Sequence, residues 1–414
     1  MPKKTRGRPS NRARKREEII TCATALFNER GISGTNLTTV AEVVDIARAS
    51  IYHYVEDRNE LVFQCYIRAC ELAAEDLAEA SKAATGFDRT IEYARRALTP
   101  DRPPVAVLTE INSLDPQIAN VIRRANDANT RTLIGFISQG IKDGSIRPCD
   151  RNVAAHAIVG MLSWLQLLPE WSEGNRGAQS RERAAVSIVD LLSNGLAINR
   201  QDEFHCDIRA EDFTLQLNDI FDREQSSALK VARVLATASK LFNRNGIEAT
   251  SIDEIASEMG VTKGVLYHYL NDKSDLVTQC YERSFELYER FVQVSKASSG
   301  NGLEAALVNS HLNVQAQVGT LSPLMPQPGF GALADAIRTK LRKRAAEQNK
   351  TLAGLLKQGV NEGVARPCPT GLVTHICAGA IGWIPKWLPN EGSHDPIEMG
   401  DKFCEIFRLG LRAR

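Results

Sequence analysis

Gly260-Val261-Thr262-Lys263-Gly264-Val265-Leu266-Tyr267-His268-Tyr269-Leu270, followed by Asn271-Asp272-Lys273, decides how this chain reads. Gly260 suits a tight turn. Thr262 suits the N-cap of a short helix running through Tyr269, and Asn271-Asp272 the cap of a longer one. Just upstream, Ser251-Ile252-Asp253-Glu254 has the form of a capping box. Further back, Leu235, Ala238 and Phe242 share one helical face, and Gly246 suits that helix's C-terminal cap. Two short helices joined by a tight turn read as a helix-turn-helix. Such a unit places its second helix in a DNA major groove, N-terminal residues nearest the base edges. The competing reading is a plain helical bundle in which Tyr267 is a core residue.

The same pattern occurs a second time. Residues 23–66 align without a gap on 238–281, with 17 identities in 44 positions, among them Leu26-Phe27-Asn28, Gly31-Ile32, Tyr52-His53-Tyr54 and Gln64-Cys65-Tyr66. That density marks an internal duplication. A shorter echo follows: Gln139-Gly140, Gly144 and Arg147-Pro148-Cys149 match Gln358-Gly359, Gly363 and Arg366-Pro367-Cys368. His156/His375, Gly160/Gly379 and Trp164/Trp383 keep that second register. Whole halves are therefore duplicated, about 17–200 and 229–414, joined by an acidic, mixed connector at 201–228.

The chain of 414 residues has 43% hydrophobic and 24% charged residues, a globular balance that excludes a mainly disordered chain. Net charge is +1, yet residues 1–16 hold eight bases and no acid. A basic arm on a net-acidic body points to a polyanion partner. The nine cysteines form no CxxC pair, so no zinc site is indicated. No apolar run is long enough to span a membrane and no signal peptide is evident, so a cytoplasmic protein with no membrane partner is expected. No nucleophile motif, zincin motif, phosphate loop or dinucleotide loop occurs. No enzyme activity, catalytic residue, metal or cofactor is expected.

Leu241-Phe242-Asn243-Arg244-Asn245-Gly246, Thr250 to Ala256 and Gly260 to Lys273 resemble the DNA-binding domain of the TetR/AcrR family of bacterial regulators. The first copy resembles it too, but carries Asp45-Ile46-Ala47-Arg48-Ala49-Ser50 where the family prefers Gly-Val-Ser/Thr-x-Gly/Pro. Asp45 enters a left-handed turn less easily than glycine, and Ala47 cannot cap as a threonine can, a loss of about 1 kcal/mol. A first head reading a different half-site, reading weakly, or no longer reading DNA follows from those departures.

The resemblance implies DNA contacts by matched position: Thr38, Thr39, Ala47, Arg48, Ser50, Tyr52, His53 and Arg58 in the first head, and Thr262, Lys263, Gly264, Tyr267, His268 and Lys273 in the second. Asp253 falls on a contact position but, being acidic, is expected to cap or position. Arg48 and Lys263 are the best candidates for guanine or phosphate contacts. In the arm, Arg6-Gly7-Arg8-Pro9 resembles an arginine hook for an A·T-rich minor groove, adding Arg6 and Arg8.

The expected fold is all-α. An arm at 1–16 precedes a head at 17–66 and a helical regulatory body at 67–200. After the connector at 201–228 come a head at 229–281 and a body at 282–414. In the family the body holds an effector pocket, and its last two helices form the dimer seam. Those helices are expected near 151–168 with 179–196, and 369–385 with 397–411. His156, Trp164, His375 and Trp383 are candidates for the effector pocket or interface, and each His is placed to share a face with the Trp eight residues on. Helix-breaking stretches at Leu98–Pro104 and Gly319–Gly329 suit the pocket's borders. No interior cationic cluster stands out, which favours an apolar or aromatic small-molecule effector. The expected function is a ligand-responsive DNA-binding transcriptional regulator, a repressor, whose partner is a double-stranded DNA operator. One chain is expected to form an intramolecular pseudo-dimer, with a homodimer as the alternative arrangement. The competing function is a small-molecule-sensing or interaction module with one or both heads silent.

Overall fold

A computed structural model of the chain describes residues 11–99, 102–167, 178–214, 223–326, 330, 333–388 and 394–414. Among them the fold is all-α, with no strand beyond two isolated bridges. The first half supplies α1 (Asn11–Arg30), α2 (Leu37–Val43), α3 (Arg48–Ile51), α4 (Arg58–Ala80), α5 (Gly86–Ala97), α6 (Pro116–Asp143), α7 (Arg151–Leu167) and α8 (Ala178–Asn194). The second repeats the order with α9 (Arg223–Asn245), α10 (Ile252–Met259), α11 (Lys263–Leu266), α12 (Lys273–Ser298), α13 (Gly302–Val318), α14 (Asp335–Asn361), α15 (Thr370–Gly382), α16 (Ile384–Trp387) and α17 (Pro396–Leu409). The penultimate helix expected at 369–385 thus breaks after Gly382, because Pro385 cannot donate to a continuing ladder.

Each head closes on its own apolar cluster. Ile20, Ala23, Phe27, Val40, Ile51 and Leu61 build the first; Leu235, Ala238, Phe242, Ile255, Leu266 and Leu276 build the second. The bodies do not separate in this way. One continuous core draws on α5 to α8 and on α13 to α17 together.

The seam between the bodies is made of contacts that occur twice with the halves exchanged. Helix α7 packs along α15. Gly160 lies so close to α15 that an added Cβ would sit 2.7 Å from the Trp383 Cβ and 2.8 Å from the Gly379 oxygen. At Gly379 it would sit 2.4 Å from the Trp164 Cβ and 3.1 Å from the Gly160 oxygen. Arg147 donates to the Gly410 carbonyl (2.7 Å) and pairs with Glu405 (2.7 Å). Arg366 donates to the Gly195 carbonyl (2.9 Å) and pairs with Asp190 (3.0 Å). Their backbones repeat the exchange, Arg147 N–H to Leu411 O and Arg366 N–H to Leu196 O. A surface that contacts its own copy reciprocally is the pattern of a two-fold interface, here within one chain. This explains the Arg-Pro-Cys echo: each arginine caps the last helix of the other half.

The connector is packed, in part. Ala210 N–H donates to Gln315 Oε1 (2.8 Å) and Gln315 Nε2 to Ile208 O (2.8 Å), while Cys206 and Ala210 join a cluster with Leu287, Phe291 and Leu312.

Candidate DNA interface and effector cavity

In each head the turn before the recognition helix requires a left-handed residue. Gly260 provides it with φ +67°, and Asp45 adopts the same region with φ +53°. The first head therefore makes the expected turn despite its aspartate. The cap expectation changes more. Thr262 sits at the N-cap of α11 but its side chain makes no capping bond, and Ala47 stands likewise at α3. The threonine thus brings no capping advantage over the alanine. Thr262 is instead an exposed residue at the start of the recognition helix.

The capping box is also only half made. Ser251 Oγ accepts from the Glu254 N–H (3.0 Å), but Glu254 Oε1 accepts from Asn245 Nδ2 (2.9 Å) instead of returning to residue 251. In the first head Asn36 caps α2 by accepting from Thr39 N–H (2.9 Å). Asp57 and Asp272 cap the fourth helices as expected, accepting from Glu60 N–H and Asp275 N–H.

The recognition segments present matched exposed surfaces. Tyr52 is 51% exposed and Tyr267 47%, so neither is the core residue of the competing reading. Ala47, Arg48, His53 and Arg58 are exposed, as are Thr262, Lys263, Gly264 and His268. Thr38, Thr39, Ser50 and Lys273 are half-buried. Lys263 Nζ lies 2.9 Å from Asp253 Oδ2, which raises the lysine's pKa and holds the ammonium beside the turn. Asp253 is thereby a positioning group. Lys273 Nζ donates to the Glu248 carbonyl (3.1 Å), and Arg12 Nη2 to the His53 carbonyl (2.9 Å), so the start of α1 reaches the end of the first recognition segment. Arg6 and Arg8 lie outside the described residues.

Each head is clamped to its body by a buried asparagine. Asn28 Nδ2 donates to Val105 O (2.9 Å) and Asn28 Oδ1 accepts from Val107 N–H (3.0 Å). Asn243 does the same with Pro323 O (2.9 Å) and Met325 N–H (2.9 Å). The clue in the sequence was a polar residue repeated on the apolar side of both first helices. Removing either amide strands a buried N–H, Val107 or Met325, worth about 1–3 kcal/mol, while the Pro323 carbonyl keeps Gln317 Nε2 as a donor at 2.9 Å. We expect Asn243→Ala to lower the melting temperature and to uncouple the second head from the 321–326 loop. Hydrogen exchange at Met325 checks this; unchanged protection there would remove the clamp.

A further junction joins the halves beneath the heads. Glu110, 1% exposed, accepts from the Ile32 N–H (2.6 Å) of the first head. Its carboxylate also lies against Gly246 of the second. Lys386 donates to Thr109 O (2.7 Å) and Arg244 O (3.3 Å), and Asn112 Nδ2 to Asn245 Oδ1 (2.7 Å). Burial pushes the Glu110 carboxyl up and the Lys386 ammonium down to about 7.

The second body encloses a cavity of about 1200 Å3 between α12, α13, α14 and α15. Its apolar wall includes Phe285, Leu307, Leu352, Leu356 and Ile381, and the 324–326 segment borders it. Trp164 and His375 line it, so a tryptophan of the first half serves the cavity of the second. Trp383 correspondingly lines a small space of about 110 Å3 in the first body. Three of the four candidates thus line one of these spaces. His156 does not pair with Trp164: its ring stacks on Trp387 of the other half at 4.3 Å and 2°, and burial lowers its pKa to about 4. The lining also includes three cations, Arg183 of α8 and Arg342 and Lys343 of α14. Arg183 lies in the other half of the chain from the adjacent Arg342 and Lys343, so only the fold brings it to the same lining. Among the described residues no group of His, Cys, Asp and Glu is placed to hold a metal ion, and no helix is long and apolar enough to cross a membrane.

Two helix-turn-helix heads with exposed recognition helices, each clamped to a helical body, define a DNA-binding transcription regulator. Comparison with known proteins agrees. The model described as "Bacterial regulatory proteins, tetR family" matches residues 19–65 and 234–280, and "Tetracyclin repressor-like, C-terminal domain" matches 81–196 and 305–411. The chain belongs to the TetR family, with both domains present twice. It is similar to the HTH-type transcriptional repressor KstR2 of Mycobacterium tuberculosis, 27% identical over 190 residues, covering 43% of this chain and 90% of the relative. It is also similar to the fatty acid metabolism regulator protein of Bacillus subtilis, 19% identical over 186 residues, covering 44% and 95%. Among solved structures, the ketosteroid regulator KstR2 of Mycobacterium tuberculosis has TM-score 0.37 and 21% identity, covering 44% of this chain and 95% of that one. AibR in complex with isovaleryl coenzyme A and operator DNA has TM-score 0.36 and 22% identity, covering 42% and 96%.

Proposed function

We propose that this chain is a ligand-responsive repressor that reads operator DNA as an intramolecular pseudo-dimer, with two unequal heads on one polypeptide. The observation that carries this reading is the reciprocal seam: Arg147–Glu405 and Arg366–Asp190 use the same surfaces with the halves exchanged. Covalent linkage replaces a concentration-dependent association by an intramolecular one. Thr38, Thr39, Arg48, Ser50, Tyr52, His53 and Arg58 contact one half-site, and Thr262, Lys263, Gly264, Tyr267, His268 and Lys273 the other. Arg6 and Arg8 add minor-groove contacts. The departures of the first head change which bases it reads; the shared turn geometry of Asp45 and Gly260 and the shared exposure of Tyr52 and Tyr267 favour a reading head over a silent one. The effector has an apolar or aromatic body and occupies the second-body cavity. It acts by shifting the population toward a head arrangement that misfits the operator. Met325 lines the cavity and its N–H is held by Asn243, which supplies a direct mechanical link to the second head.

The test is selection of bound sites from random DNA followed by footprinting. Two unequal half-sites about one helical turn apart are expected. Failure to enrich any sequence would favour the sensing module with silent heads.

A further inference from the structure

The two bodies share a fold and differ in what they enclose, about 1200 Å3 in the second against about 110 Å3 in the first. Particular side chains make the difference. Gly86 of α5 meets Gly140 of α6, and Gly302 of α13 meets Gly359 of α14, which fixes the register between the two helix pairs. In that register Tyr93 occupies the place of Asn309, and both are buried. The Tyr93 ring lines the small space, where its counterpart is only an amide. On the seam helix, Val159 stands where the second body has Ala378. The remaining volume is occupied by an ion pair: Arg102 Nη1 reaches within 2.5 Å of Asp76 Oδ2, with the aspartate side chain 6% exposed and the arginine 11%. Arg96 Nε adds a second contact to the same aspartate at 3.6 Å, and removing Asp76 would leave the nearly buried Arg102 without its carboxylate, so the plug is costly to displace.

The large cavity carries signs of a ligand. Trp164 Nε1 and Asn309 Nδ2 are buried donors with no protein acceptor, and both residues line it. Buried donors are normally paired, and an acceptor brought by a ligand would satisfy these two once the lining shifts to uncover them. Among the described residues its lining includes three cations, Arg183, Arg342 and Lys343, and no carboxylate. Its volume exceeds the few hundred Å3 that a typical small-molecule site requires, whereas the first-body space falls below it.

We infer that the chain carries one effector site for two heads: the second-body cavity binds a single amphipathic molecule with an apolar body and an anionic end, and the first body is a filled scaffold that binds none. The site is built across the seam, since Trp164 and Arg183 come from the first half. The word effector rests on the regulator reading, but the number of molecules bound does not.

Anilinonaphthalene sulfonate, an aromatic body with one anionic group, is a suitable probe for the full chain without DNA. Calorimetry and native mass spectrometry should give one probe per chain. Asn309→Tyr/Ala378→Val, which installs the first body's residues, should weaken that binding by at least about tenfold, as loss of a charge-assisted or buried polar contact does. Tyr93→Ala in the first body should leave the count at one. The uncharged phenylnaphthylamine should bind at least about tenfold more weakly than the sulfonate if the rim cations recognise the anion. Two probes per wild-type chain, or none, would overturn the inference. So would a single probe insensitive to Asn309→Tyr/Ala378→Val in a variant that melts as wild type. Equal affinity for the two probes would overturn the anionic end. Loss of DNA binding in separate assays would bear on the regulator reading alone, because the probe count involves no DNA.

Discussion

Arg48→Ala/Lys263→Ala should lose at least about 30-fold in operator affinity while folding and melting as wild type. Each side chain is the long cation of its recognition segment and each is exposed. A good base contact is worth about 1–3 kcal/mol, so two together place the loss at about 2–6 kcal/mol. The fold has little to lose. Arg48 opens α3 on a cap that makes no side-chain bond, and the Lys263–Asp253 pair is exposed and screened by solvent. The salt dependence separates the kinds of contact. If both residues touch phosphates, the slope of log affinity against log salt should flatten by about 0.9 per contact. The single variants then weigh the heads. Comparable losses from Arg48→Ala and Lys263→Ala mean that both heads read. A loss confined to Lys263→Ala means a silent first head, and unchanged affinity in both would remove the site assignment.

Gly160→Val/Gly379→Val should have the largest effect on stability. A Cβ at either position would approach a tryptophan Cβ and a facing backbone oxygen more closely than van der Waals contact allows. A flexible side chain could yield; two packed helix backbones cannot. Overpacking of this kind costs about 1–3 kcal/mol per site, and the two sites face each other, so their effects will not simply add. With a combined cost of about 3 kcal/mol, at about 2–4 °C per kcal/mol, a fall of roughly 6–12 °C is expected. The head clusters are distinct from the seam core, although each extends into its own body through residues such as Ile122 and Leu341, and the heads should keep their helix content through the seam transition. A variant melting within a degree or two of wild type would mean that the α7–α15 contact is not structural.

The heads were legible in the sequence because their signals are local. Turn, cap and apolar face all fall within about fifty residues, and the internal repeat shows each signal twice. The seam was half legible. The Arg-Pro-Cys echo was plain, but its partners, Glu405 for Arg147 and Asp190 for Arg366, lie in the opposite half. The clamp was hidden for the same reason. Asn28 and Asn243 appear among the identities, yet their bonds go to loops about 80 residues away. The effector cavity was not legible. It is lined by Asn309 where the first body has Tyr93, and Arg183 joins Arg342 and Lys343 in its lining only once the two halves pack together. The sequence reading also overvalued Thr262 as a cap, since propensity at a position does not fix which bond the side chain makes.

The central claim is that one chain supplies both heads for one operator. The most direct test is the mass of the complex formed on a single selected site, measured by light scattering or sedimentation across a wide range of protein concentration. One chain per operator, independent of concentration, is the expected result. Two chains per operator, with four half-sites protected, would contradict it and make the chain a conventional homodimer of double-headed subunits.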